Sequence, residues 1–203
     1  LVAVLHLVES FLIFVNGYHN ASPMFFKHES GKVVGGFALR KFWPMPTIAL
    51  VGVIMISSGV DFQSVPMPDW WPIFEAAREV PDSHVLLHVL FPLIVALGYS
   101  DFVQTELPKT KARRSAGMLT VYSLILLGLA VLANAHSWLA FLPVLFAPFG
   151  HELVIHWGRR REKENAPVFL GEEGVMVLAV YPNSPAEQMG LEAGDVIRSI
   201  NGV

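Results

Sequence analysis

The 203 residues are 53% hydrophobic and only 15% charged, with a formal net charge of −3 and no cysteine. The charged share falls well below the ~25% usual for a soluble globular domain and mean hydropathy is +0.50, so the apolar excess is expected to meet a lipid bilayer. Disulfides and thiolate-based zinc or redox chemistry are excluded. So small a net charge points to no particular partner, and none of nucleic acid is expected.

Apolar runs of roughly 18 residues or more cross a ~30 Å hydrocarbon core as helices, and five are predicted in chain order: 1–15, 42–60, 85–100, 116–133 and 138–157. The first opens on Leu1 with neither a basic leader nor a small-residue cleavage site, and is read as a span already under way. Pro92, Pro143 and Pro148 are expected to kink the third and fifth spans rather than end them. Within the first span His6 and Glu9 stand three apart and are expected to pair, since a lone ionisable residue at mid-membrane is costly.

Between these runs the basic residues alternate. Lys27, Lys32, Arg40 and Lys41 precede the second run, whereas Asp61, Asp69, Glu75, Glu79 and Asp82 outnumber Arg78 after it. Lys109, Lys111, Arg113 and Arg114 follow the third, no basic residue lies in 134–137, and Arg159, Arg160, Arg161 and Lys163 close the fifth. Cytoplasmic loops retain Lys and Arg, so five crossings predict Leu1 outside and the C-terminus in the cytoplasm. Trp70 and Trp71, followed by Pro72 to Arg78, suit an amphipathic segment at the outer interface.

After residue 165 the composition turns to that of a soluble domain. Gly174 to Val180 is a strand candidate rich in β-formers. Ser184 is a natural N-cap, Pro185 fits the first helical position, and Glu187 completes a capping box. Gly190 suits a helix terminator, Val196 to Ile200 reads as a second strand, and Asn201-Gly202 is the preferred pair for a two-residue hairpin.

The string from Gly174 to Gly202, with Ser184-Pro185-Ala186, Gly190-Leu191, Gly194-Asp195-Val196-Ile197 and Asn201-Gly202 in order, resembles the first half of a bacterial PDZ domain. The resemblance implies a module that adds a partner's extended peptide as a strand to a sheet edge. It places Val168, Phe169, Leu170 and Gly171 beside that peptide, and expects the groove helix beyond Val203. The predicted fold is thus mainly α: a polytopic transmembrane bundle of about five spans over 1–165, followed by an incomplete α+β PDZ domain over 166–203.

Gly150-His151-Glu152-Leu153-Val154-Ile155-His156 approaches a zincin sequence. Site-2 type membrane proteases, which this chain resembles in joining spans to a PDZ module, carry an intact His-Glu-x-x-His. A zinc pair four apart sits about 40° around a helix, but His151 and His156 are five apart, about 140° around it. A metal site from His151, Glu152 and His156 therefore stays the alternative reading. His84 and His88 have the permissive spacing of four but no third ligand. The organisation of spans, Arg-rich exit and PDZ string, together with His6 to Ser10 and Gly31 to Pro44, is similar to MinJ-like cell-division topology proteins of Gram-positive bacteria. That resemblance implies a cofactor-free, non-enzymatic plasma-membrane scaffold that captures protein partners through a cytoplasmic PDZ domain. The metalloprotease with a substrate-gating PDZ is its competitor.

Overall fold

Pro44 and Pro46 stand two apart, and Pro92 interrupts a second apolar run. In a pleated strand, residues two apart turn their N–H groups the same way, so prolines at that spacing can share one edge. The structure, a computed structural model, describes residues 1–28, 31–56, 65–68, 70–71, 80–170 and 174–200, and both runs are strands in it. β1 (Ser22–Lys27), β2 (Val33–Ile56) and β3 (His84–Val103) form an antiparallel sheet in the order β1-β2-β3. Pro44 lies opposite Ala96, Pro46 opposite Ile94 and Pro92 opposite Ile48. All three fall in pairs of one class, the class whose N–H groups point off the ladder. β1 reaches only as far as Ala38 of β2, so among the described residues no strand lies beside Pro44 and Pro46 on that side.

The expected helical bundle of five spans is corrected accordingly. The described parts of the second and third predicted spans lie in β2 and β3, strands of 24 and 20 residues. The other three runs are helical: α1 (Val2–Asn16), α2 (Pro108–Ala135) and α3 (Phe141–Glu164), with a 3-10 turn at Ser137–Leu139 before α3. Among the described residues α2 alone is long and apolar enough to cross a membrane, with an 18-residue window of mean hydropathy 2.2. The orientation drawn from five alternating loops falls with the five crossings. The physical reason is that an unbroken apolar run has neither period 2 nor period 3.6. The β-branched residues of 47–56 and the three prolines then favour an extended chain.

The three helices lie side by side, α2 central. Thr120 donates its hydroxyl to Ser10 Oγ at 3.0 Å, joining α2 to α1, and Tyr122 donates to the Ala147 carbonyl at 2.8 Å, joining α2 to α3. Gly150 permits this last approach, since a Cβ there would stand 2.9 Å from the Tyr122 ring. The shared core gathers Ile13 of α1, Leu39 of β2, Tyr99 and Val103 of β3, and Ala116 and Leu126 of α2. At the C-terminal end β4 (Val175–Met176) pairs antiparallel with β5 (Val196–Ile197), with α4 (Pro185–Gln188) between them in sequence. The predicted amphipathic stretch after Trp71, the loop residue Gly171 and the Asn201-Gly202 hairpin lie outside the described residues. Trp70 and Trp71 themselves meet edge to face with ring centroids 5.7 Å apart.

Candidate functional site: the C-terminal module and its seat

Local sequence dictates the module's shape. The Glu187 N–H donates to Ser184 Oγ at 3.3 Å, the first half of a capping box. The Glu187 carboxylate reaches one residue further back, to the Asn183 N–H at 2.6 Å, while the Ser184 N–H donates to the Tyr181 carbonyl. Gly190 has φ +78° and Gly194 φ +103°, conformations that cost glycine little. The Asp195 carboxylate then accepts the Glu192 N–H at 2.8 Å and closes the turn into β5.

Val177 donates its N–H to the Asp195 carbonyl and accepts from the Gly194 N–H, both at 2.8 Å. By the alternation of an antiparallel ladder, Met176 and Leu178 turn their N–H and C=O groups to the opposite edge. Among the described residues no strand is paired to that edge. The side chains of Met176 and Leu178 pack against the main core, while Val175 on the other face is exposed.

Of the four residues assigned to peptide contact, the structure brings Val168 and Phe169 into the seat of the module. The Val168 N–H donates to the Gln104 carbonyl at 2.8 Å, and the Gly35 N–H to the Phe169 carbonyl at 3.1 Å. Phe169 thus takes the place that β3 would fill if it continued past Val103, in an antiparallel bridge to Gly35. Its buried ring meets Phe37 edge to face at 5.5 Å. Gly35 makes the close approach possible: a Cβ there would lie 3.0 Å from Leu178 Cδ1 and 3.1 Å from Phe169 Cβ. Leu170 is half-buried beside them.

Beneath this seat lies a charged cluster that sequence reading missed. Glu162 is fully buried. Its Oε2 accepts the N–H groups of Gln104 and Thr105 at 3.0 and 3.3 Å and the Thr105 hydroxyl at 3.0 Å. Its Oε1 accepts from Lys111 Nζ at 3.1 Å, and Lys111 lies 3.2 Å from Asp101. Arg114, which pairs with Glu106, approaches Glu162 at 3.7 Å. Lys111 and Arg114, counted above as loop charges, are therefore paired α2 residues. The available signal was one carboxylate set inside the basic run 159–163, opposite a second basic run in 109–114.

The expected pair in α1 is present: His6 Nδ1 stands 2.8 Å from Glu9 Oε2, and Glu9 Oε1 accepts the Gly98 N–H at 3.2 Å. His151 stacks on His6 with centroids 5.3 Å apart and meets Tyr122 edge to face at 5.9 Å. His156 lies exposed on another side of α3, as a five-residue separation requires. His84 and His88 lie on a strand, where four residues span about 13 Å, so the helical face expected for them is corrected. No group of three His, Cys, Asp or Glu able to hold a metal occurs among the described residues. A cavity of about 180 Å³ lined by Glu9 and His151 reaches Tyr99 and Ser115. Tyr99 donates to Ser115 Oγ at 3.2 Å. Burial, with the negative charge of Asp101, holds its phenol above the ordinary tyrosine range against the opposing pull of Ser115 and Arg114.

A capped turn of helix between two short paired strands, followed by Gly-Asp at the second strand, is the arrangement of a PDZ module, and the PDZ domain family matches residues 176–203. Over 210 aligned residues the chain is 28% identical to the cell division topological determinant MinJ of Bacillus subtilis (strain 168), an alignment covering 98% of this chain and 47% of that protein. The chain is thus similar to a MinJ-type PDZ protein and spans about half the length of that relative. No solved structure matches it.

Proposed function

We propose that this chain is a membrane-attached, non-enzymatic adaptor that captures an extended peptide of a protein partner on the open edge of β4, in the service of division-site placement. The carrying observation is that edge. Met176 presents its main-chain donor and acceptor on the edge of β4 that no strand pairs with among the described residues, as strand addition to a PDZ sheet requires. The PDZ match and the name of the relative, a cell division topological determinant, support the setting. Attachment is assigned to α2, whose hydropathy suits a span. The basic ends of α2 and α3 lie together, which favours that end on the cytoplasmic side with the PDZ module following it. The chain is divided accordingly into an attachment region over 1–165 and the PDZ part over 166–203, with Val168 to Gly171 beside the peptide.

Strand addition depends on the edge N–H groups, so Met176→Pro, which removes one while sparing the β5 ladder, is expected to abolish binding of C-terminal peptides selected against the full chain. Calorimetry on the detergent-purified protein reads this directly. Unchanged affinity in Met176→Pro would refute capture at β4. Separately, a reporter fused after residue 165 is expected to score as cytoplasmic, and an external score overturns the proposed orientation.

A further inference from the structure

Between α2 and α3 runs a groove of about 510 Å³ lined by Gly117, Val121, Ile125, Phe146 and Leu153. Val121, Ile125 and Leu153 are each about half exposed or more, and the floor at Gly117 is open, a Cβ there meeting nothing within 4 Å beyond its chain neighbours and its own helix backbone. At one end the groove meets a second cavity, of about 650 Å³, whose walls include Arg160 and Arg161. Arg114, Met118 and Trp157 line both. From Arg114 to Ile125 the helix rises about 16 Å, close to the ~15 Å depth of one leaflet, half a ~30 Å hydrocarbon core.

The mouth carries Arg114, Arg160 and Arg161 against the single carboxylate of Glu164. Arg160 is paired with Glu164 and Arg114 with Glu106, but Arg161 forms no ion pair among the described residues. The buried Nε of Arg114 has no hydrogen-bond acceptor among them either. Trp157, exposed at the junction, stands where an amphipathic ring separates acyl chain from headgroup. An apolar slot one leaflet deep that opens on guanidinium groups is complementary to one class of ligand. We propose that this groove binds an anionic phospholipid, an acyl chain lying along Gly117, Val121 and Ile125 and the phosphate at Arg161 and Arg114. Basic pockets between membrane helices on the cytoplasmic side hold acidic headgroups in this way. The inference rests on the membrane placement of α2 proposed above.

The test uses the full chain in detergent, offered dioleoylphosphatidylglycerol or dioleoylphosphatidylcholine, with retained lipid read by native mass spectrometry. The wild type is expected to retain phosphatidylglycerol in preference. Gly117→Leu fills the open floor without a clash and raises helix propensity, so loss of retention there comes from occlusion and not unfolding. Gly128→Leu, at a glycine also in open space but outside the groove, is expected to behave as wild type. Arg161→Gln is expected to lower the preference about fivefold, the equivalent of ~1 kcal/mol for one basic side chain at an anionic surface. Equal retention of the two lipids, or undiminished phosphatidylglycerol in Gly117→Leu, overturns the proposal. So does a dimer that Gly117→Leu dissociates without changing lipid retention, which assigns the groove to a second copy. Flotation with phosphatidylcholine vesicles and with phosphatidylglycerol vesicles separates the two readings: a wild-type chain that floats without headgroup preference overturns the lipid site alone, and one that floats with neither lipid overturns membrane attachment.

Discussion

Lys111 and Glu162 are both withdrawn from solvent and stand 3.1 Å apart as an ion pair. Removing one partner of such a pair leaves an uncompensated ion in a low-dielectric interior, at a cost of about 3–5 kcal/mol. Lys111→Ala is therefore expected to lower the unfolding free energy obtained from a urea titration by about that amount. A single-variant loss below ~1 kcal/mol would deny the pair its role in joining α2 to α3. Tyr99 gives a prediction in pH. Its folded phenol titrates above the ordinary value of about 10, so the unfolded chain releases the proton first. The stability it contributes is whole below pH 10 and declines as pH rises from there through the folded value. Tyr99→Phe, losing the bond to Ser115, should cost ~1 kcal/mol at neutral pH and give a shallower stability profile above pH 10. A profile as steep as that of the wild type would locate the alkaline transition elsewhere.

At the scale of elements, the Ser184 cap of α4 is the most local device in the chain. Ser184→Ala is expected to cost ~1 kcal/mol, visible as faster hydrogen exchange at the Glu187 and Gln188 amides with the α2 amides unchanged. This element was legible in advance because Ser184, Pro185, Glu187 and Gly190 act on neighbours within one turn. β2 and β3 were not. Their register is set by partners such as Thr47 opposite Leu93, and an apolar run exposes no periodicity from which to choose strand over helix. Pro44, Pro46 and Pro92 held the clue, since their shared parity suits an antiparallel pair. The His6 and Glu9 pair was legible because its members are three residues apart. The Glu162 cluster was not, because its members come from the end of β3, the start of α2 and the end of α3.

At the scale of the molecule, the C-terminal module is tied to the sheet of β1 to β3 through Gly35. A larger side chain there must push aside Leu178 and the Cβ of Phe169. Gly35→Val is expected to release the module from its seat, seen as rapid proteolysis between residues 165 and 174 with α1 to α3 still protected. Resistance equal to the wild type would show the seat to be dispensable.

The bridge at Phe169 also has a mechanical side. A partner that pulls on β4 loads the chain in series, and tension passing back from Val175 meets the bonds of Phe169 and Val168 before it reaches Glu162 and the paired helices. These few bonds act as a fuse. Under load the module should come away first as a short extension, leaving α1 to α3 packed together. Stretching the full chain between residue 1 and residue 200 in optical tweezers would display that step, and its disappearance in Gly35→Val would trace it to the bridge.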